Sequence, residues 1–237
     1  MQYFGGKAKI SKPLSAFLNS QLKDEMSFYD LFAGSCNVIS KIDGNRSRHA
    51  NDMHKELIAM WQYVLDGGEL PTEITEAQYQ EIKQSETAPD WLKGFVGFGC
   101  SFAGKWWGGY ARGGVQGKKN YAMFARNSTL KKASTMVGVT FTHGSYKDVV
   151  PEPNSMLYCD TPYRNTTGYS TGIFNHDEFY SWAVGMSHLG HTVLASEYLH
   201  NLPDGWKVVW QHESKKDIRD KGGVQQPTIE IVMTPMS

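Results

Sequence analysis

Ser27-Phe28-Tyr29-Asp30-Leu31-Phe32-Ala33-Gly34-Ser35 is the stretch on which the fold turns. Its apolar, β-favouring run ends in small residues, the pattern of a buried strand running into a tight turn. Gly34 has no Cβ and can adopt positive φ, so the backbone there can approach a ligand closely. A purely structural turn fits these residues as well, and the GxGxxG dinucleotide fingerprint is absent. Next comes Arg48-His49-Ala50-Asn51-Asp52, which ends in an acid. Met53 to Leu65 then carries apolar side chains at Leu57, Ile58, Trp61, Val64 and Leu65. That spacing predicts an amphipathic helix ending before Gly67-Gly68. Strand, glycine turn, helix, strand, acid and helix in this order predict an α/β sheet with ligand chemistry at the carboxyl ends of its strands. Asp52 reads equally as an acceptor for ribose hydroxyls or as a helix N-cap.

The same alternation returns in the second half of the chain. Val137-Gly138-Val139-Thr140-Phe141 and Ser155-Met156-Leu157-Tyr158-Cys159 read as strands, the latter delivering Asp160 at its end. His176 to Leu189 reads as a helix, with Phe179, Trp182, Ala183 and Met186 on one face. The stretches 192–196, 206–210 and 228–233 close the sheet as strands. Between the halves, residues 94–117 hold nine glycines among Phe95, Phe98, Phe102, Trp106, Trp107 and Tyr110, and read as neither helix nor strand.

The chain has 237 residues, 40% hydrophobic and 20% charged, enough for one substantial core with a smaller appended module. No apolar run is long enough for a membrane span, and Met1-Gln2-Tyr3-Phe4-Gly5-Gly6-Lys7 lacks the apolar run of a signal peptide, so the expected location is cytoplasmic. Cys36, Cys100 and Cys159 are scattered and odd in number, which argues against a disulfide framework or a structural zinc site. His188 and His191 lie i, i+3 apart without a carboxylate at metal spacing, and read as surface histidines; no metal is expected. The net charge is zero, yet from Asp90 to Asp148 no acid intervenes among Lys93, Lys105, Arg112, Lys118, Lys119, Arg126, Lys131, Lys132 and Lys147. A strongly basic segment thus sits inside a neutral chain.

Asp160-Thr161-Pro162-Tyr163 is the most specific chemical signal. An exocyclic adenine amine is a poor nucleophile because its lone pair is delocalised into the ring. Methylating it calls for acceptors on both N–H bonds and a stacking surface for the base. Asp160 and the Thr161 carbonyl supply acceptors, Tyr163 supplies the platform, and Pro162 restricts the backbone. With the methyl group carried on a sulfonium, alignment and electrostatics provide most of the rate. Taken alone, the four residues fit a proline-containing turn equally well.

Together these segments resemble the Dam-type DNA adenine-N6 methyltransferases, particularly phage and prophage members, over essentially the whole chain. Phe4-Gly5-Gly6-Lys7, with Tyr3 beside it, is similar to the N-terminal motif that contacts the methionine part of the cofactor, and Asp30-Leu31-Phe32-Ala33-Gly34-Ser35 to the glycine turn beneath it. Asn51-Asp52 matches the ribose-binding acid, Asp160-Thr161-Pro162-Tyr163 the motif usually written D-P-P-Y, and Phe174 lies where the family closes over its active site. The resemblance implies S-adenosylmethionine as cofactor and a Rossmann-like mixed sheet with helices on both faces. It places the catalytic domain at 1–66 and 137–237 and an inserted target-recognition domain at 67–136. It further implies a flipped adenine in duplex DNA, at GATC in the family's pattern, and a protein that is monomeric in solution with dimerisation on DNA left open.

The sequence departs from the family at three places. Thr161 replaces the first proline, Cys36 stands where a second glycine is common, and Ser145-Tyr146 stands where an acid followed by an aromatic is common. Tyr146 is left to stack on the cofactor adenine without an acidic partner for its amine. In the insertion, Lys105, Lys118, Lys119 and Arg126 are candidates for phosphates, and Arg112 for a phosphate or a guanine edge. Trp106, Trp107 and Tyr110 read either as DNA contacts or as the insertion's own core, and Lys131 and Lys132 as phosphate contacts or a solvated face. A second candidate surface at 214–223 contributes Lys215, Lys216 and Arg219. Methylation of cytosine N4 or of RNA, and a catalytically silent DNA-binding relative, are the competing readings.

Overall fold

The computed structural model describes residues 1, 3–113, 119–164, 174–214 and 228–236. Its centre is a seven-stranded sheet made of β1 (Phe28–Asp30), β2 (Arg48–Asp52), β3 (Val139–His143), β4 (Met156–Cys159), β5 (Thr192–Tyr198), β6 (Trp206–Ser214) and β7 (Thr228–Pro235). In space they run β3-β2-β1-β4-β5-β7-β6. The first five are mutually parallel and β7 pairs antiparallel with both β5 and β6. This is the mixed α/β sheet expected from the sequence.

Strand periodicity sorts the apolar side chains onto two faces. Phe28, Met156, Tyr158, Leu194 and Val232 belong to one core cluster; Tyr29, Leu157, Val193, Ala195, Ile231 and Met233 belong to the other. Helices α1 (Ser11–Gln21), α2 (Lys55–Leu65), α4 (Asp90–Gly99) and α5 (Tyr121–Ala133) bury side chains in the first cluster, and α6 (His176–His188) buries Phe179 and Ala183 in the second. The sheet is therefore covered by helices on both sides.

Between β1 and β2, where the sequence predicts a helix, the chain makes only the short 3-10 turn Ile39–Lys41. Of the stretch 94–117 that reads as neither helix nor strand, Gly94 to Gly99 belong to α4. The short helix α3 (Glu76–Gln84) starts from a capping box in which Thr75 and Gln78 satisfy each other's backbone N–H groups. The glycines of α4 do not break it, because neighbours occupy the space that side chains would fill. A Cβ on Gly94 would lie 2.1 Å from the Glu56 carbonyl oxygen of α2, and one on Gly97 would lie 2.4 Å from the Trp106 ring. Helix α5 shows little apolar periodicity, since the stripe it buries is made of Ala122, Ala125, Thr129 and Ala133. Leu70, Ile74, Tyr79, Phe95 and Val96 join the same core cluster as α2 and the sheet.

Candidate active site

In a doubly wound sheet the ligand crevice opens where the strand order reverses, outside the carboxyl ends. Here that point lies between β1 and β4, which run parallel with Asp30 opposite Tyr158. A cavity of about 280 Å³ occupies it. Tyr3, Gly5, Gly6, Lys7, Asp30, Phe32, Ala33, Gly34, Ser35, Asp52, Tyr146 and Asp160 all line it, together with Pro162, Phe174 and Glu178. Six segments far apart in sequence thus share one cavity. Of the residues expected at the cofactor, Phe4 is outside the lining and half-exposed.

The glycine turn is shaped by close approach. Gly34 has φ +50°, and a Cβ there would sit 3.0 Å from the Tyr3 ring, so the N-terminal segment rests directly on the turn. Cys36 also has positive φ, +55°, which explains why a second glycine suits this position. The turn's carbonyls are held from behind: Trp61 Nε1 donates to Gly34 at 3.2 Å and Lys132 Nζ to Ser35 at 2.6 Å. Burial lowers Lys132 to about 8. Lys132 is therefore an internal ligand of the turn rather than a solvated or phosphate-facing lysine.

Asp52 is buried, and its two oxygens accept from the Gly34 N–H at 2.8 Å and the His54 N–H at 2.9 Å. The N-cap of α2 is His54, so Asp52 ties the turn to the strand end instead of capping the helix. Asp30 is fully buried, and Oδ1 has no hydrogen-bond partner among the described residues. Burial, then the charges of Asp160 and Asp52, hold its carboxyl well above the usual range. Asp160 is likewise raised by burial, against the opposing pull of Lys7, whose Nζ donates to Oδ1 at 2.5 Å. Lys7 also lies 3.8 Å from Glu230 and 4.4 Å above the Tyr163 ring. Lys7 thus stands between the carboxyl groups of Asp160 and Glu230.

Tyr146 is buried and lies 5.5 Å from Phe32 and 6.0 Å from Phe174, ring centre to ring centre. Burial pushes its hydroxyl up to about 12. The neighbouring acid Asp148 accepts from the Ser145 N–H in a capping box. Thr161 is buried, and Tyr163 packs edge-on against Tyr198 with centroids 4.6 Å apart.

The residues assigned to DNA from sequence scatter more widely. Trp106 packs on His54 and Phe98, Trp107 on Tyr79, and the Tyr110 hydroxyl donates to the Ile74 carbonyl. These three rings make core contacts. Lys105 Nζ lies 4.5 Å above the Phe4 ring, Lys119 Nζ lies over Tyr121 and Phe124, Arg126 donates to the Leu70 carbonyl, and Arg112 pairs with Glu76 on the surface. Lys118, Lys215, Lys216 and Arg219 lie outside the described residues. His191 does not stand free on the surface; its Nδ1 accepts from the Ser155 N–H.

Several residues near the site carry no motif. Phe102 is 68% exposed, in a turn whose Gly104 carbonyl accepts from the Phe4 N–H. The signal for it was an aromatic flanked by small residues in the basic segment. His176, Glu197 and Asn201, from α6, the end of β5 and the short 3-10 turn after it, contact the loop after β4. Nothing in the linear sequence marked them.

Residues 3–91 match the sequence model of the D12 class N6 adenine-specific DNA methyltransferase. This bears out, over that segment, the resemblance read from the sequence, and methyl transfer is the reaction class it supports. No curated protein matches the sequence. Solved structures to which the chain is similar include "Putative methyltransferase yhhF from Escherichia coli", 9% identical, covering 97% of this chain and 85% of that one with a TM-score of 0.40. Another is an rRNA methylase from Streptococcus thermophilus, 10% identical, covering 97% of this chain and 98% of that one, also with a TM-score of 0.40. The sheet order, with its antiparallel β7, is that of the Rossmann-like methyltransferase fold expected from the sequence. Among the described residues, no helix is long and apolar enough to cross a membrane, and no group of three potential metal ligands comes together.

Proposed function

We propose that the protein transfers a methyl group from S-adenosylmethionine to the N6 amine of adenine in duplex DNA, with Asp160 as the acceptor for the amine. The observation that carries this reading is the convergence of Asp160, Lys7, the Gly34 turn and Asp52 on one cavity at the strand-order reversal. The cavity suits the cofactor's chemistry: Asp30, Asp52 and Asp160 line it with acceptor oxygens toward a cationic ligand, and Asp30 Oδ1 is a buried acceptor without a partner among the described residues. When bound, the cofactor supplies a methyl group already activated for displacement. Gly34 and Ser35 would hold its methionine end, Asp52 its ribose hydroxyls, and Tyr146 with Phe32 and Phe174 its adenine.

The remaining chemistry belongs to the chain's own groups. The acid at 160 is a stronger acceptor for an N–H when ionised, and burial alone opposes ionisation. Lys7 counteracts burial by pairing with it. Tyr163 offers the ring against which an extruded adenine stacks, and extrusion is required because a paired amine cannot reach a buried carboxylate. In Lys7→Met, Asp160 loses the neighbour that lowers its pKa, so the acid limb of the kcat profile is expected to move to higher pH. A limb at the same pH as wild type would show that Lys7 does not set the ionisation of Asp160.

Residues 67–136 serve in this reading as the target-recognition region, and GATC is the target that the resemblance suggests. The inward packing of Trp106, Trp107 and Tyr110 moves the exposed aromatic role to Phe102, with Phe4 and Lys105 beside it. Phe102→Ala is expected to raise the KM for DNA about tenfold, in the range for loss of one aromatic–base contact, with cofactor affinity unchanged. The same variant should blunt the brightening of 2-aminopurine placed at the target adenine. Wild-type values for both would remove Phe102 from the interface. The function itself is tested by incubating unmethylated duplex DNA with labelled S-adenosylmethionine: label in the DNA is expected, and label in RNA alone, or in neither, would overturn the assignment.

A further inference from the structure

We propose that Glu197 and Asn201, assisted by His176, are positioning residues that lock the loop 160–164 and replace the rigidity lost with Thr161. The inference rests on the methyltransferase reading for its consequence in catalysis, but its geometry is independent of that reading. Thr161 stands at a position where the related motif has proline, and a threonine leaves φ free. The loop must then be fixed by bonds from elsewhere, and three elements provide them.

Glu197, at the end of β5, is only 1% exposed. Its Oε2 accepts from the Arg164 backbone N–H at 3.0 Å, one residue beyond Tyr163. Its Oε1 accepts from the Tyr198 N–H at 2.8 Å and from Asn201 Nδ2 at 3.2 Å. The same Asn201 amide donates to the Arg164 carbonyl at 3.2 Å. Arg164 is thus gripped at both its N–H and its C=O by the buried Glu197 and the part-buried Asn201, which also bond each other. Two residues earlier, the Pro162 carbonyl accepts from His176 Nε2 at 2.8 Å. Glu197 fixes Tyr198 through its backbone, and the Tyr198 ring meets Tyr163 edge-on at 4.6 Å. Platform and clamp are therefore one connected unit. A carboxylate holding three N–H donors in a buried site is well satisfied, and such a network is rigid.

The geometry matters because a displacement of about 1 Å in a reacting group costs on the order of a hundredfold in rate. Asn201→Ala removes the grip on the Arg164 carbonyl and leaves Glu197 in place. It is expected to lower kcat on the order of tenfold, with the cofactor Kd and the KM for DNA within about twofold of wild type. Glu197→Ala should lower kcat on the order of a hundredfold if it folds; Asn201→Ala keeps the test usable if it does not. Amide hydrogen exchange at Arg164 should accelerate in both variants, a readout that does not depend on catalysis. Thr161→Pro added to Asn201→Ala should restore part of the lost kcat, which a merely structural role for Asn201 would not produce. Wild-type exchange at Arg164 together with wild-type kcat in Asn201→Ala would overturn the inference, as would a parallel loss of cofactor binding. If the wild type transfers no methyl group to DNA, the functional reading fails, and the Arg164 exchange still decides whether the clamp exists.

Discussion

Asp160→Ala is expected to lower kcat for methyl transfer on the order of a thousandfold while the protein still folds and binds S-adenosylmethionine. The magnitude combines loss of a preorganised acceptor with loss of the charge that stabilises positive charge developing on the amine. Folding should survive because burial raises the Asp160 carboxyl in spite of Lys7, so the native state strains to keep this charge. Lys7 released by the substitution still has Glu230 at 3.8 Å and the Tyr163 ring beneath it. Cofactor contacts assigned to Gly34, Ser35 and Asp52 do not pass through Asp160. Isothermal titration with the cofactor, run beside single-turnover kinetics, separates the two effects. A kcat within tenfold of wild type would remove Asp160 from the reacting centre, and a loss of cofactor binding equal to the loss of rate would reassign it to binding.

Gly94→Ala carries the largest expected effect on stability. The added Cβ would lie 2.1 Å from the Glu56 carbonyl oxygen and 2.6 Å from its carbon, which are backbone atoms of α2 and cannot rotate away. Helices α2 and α4 must then separate, opening the core that holds Leu57, Met60, Trp61, Phe95 and Val96. Overpacking of this kind costs about 3 kcal/mol, which lowers Tm by roughly 6–12 °C in a chain of this length. Because the N-cap of α2, His54, donates its N–H to Asp52, weaker cofactor affinity should accompany the loss. Gly185→Ala is the control: nothing lies within 4 Å of its Cβ, and replacing a helical glycine there should be neutral or stabilising by up to about 1 kcal/mol. Circular dichroism melts compare the two. A Gly94 variant melting within about 2 °C of wild type would contradict the packing of α4 on α2.

The strands that carry the site were legible because their chemistry is local. Phe28 to Asp30 and Met156 to Cys159 are short apolar runs, each followed by its functional turn, and periodicity alone places Asp30 and Asp160 at strand ends. The helices of residues 67–136 were not legible, because what they bury is not conventionally hydrophobic. Gly94 and Gly97 serve as contact surfaces, and α5 buries alanines and a threonine. Helix α1 drew no reading from the sequence; its Pro13 lies in the first turn, where proline is tolerated. In the site, the segments from Tyr3 to Lys7 and from Asp30 to Ser35 were marked by motif. Lys132 read as a surface cation and proved to be a part-buried ligand of the Ser35 carbonyl. Glu197, Asn201 and His176 could not be found at all, since they act on backbone atoms brought close only by the parallel neighbours β4 and β5 and by α6.

The measurement that bears most directly on the central claim is nucleoside mass spectrometry of unmethylated duplex DNA treated with the protein and S-adenosylmethionine. The account expects N6-methyladenine as the modified nucleoside, absent when Asp160→Ala replaces the wild type. N4-methylcytosine as the product, or equal N6-methyladenine from the Asp160 variant, would contradict it.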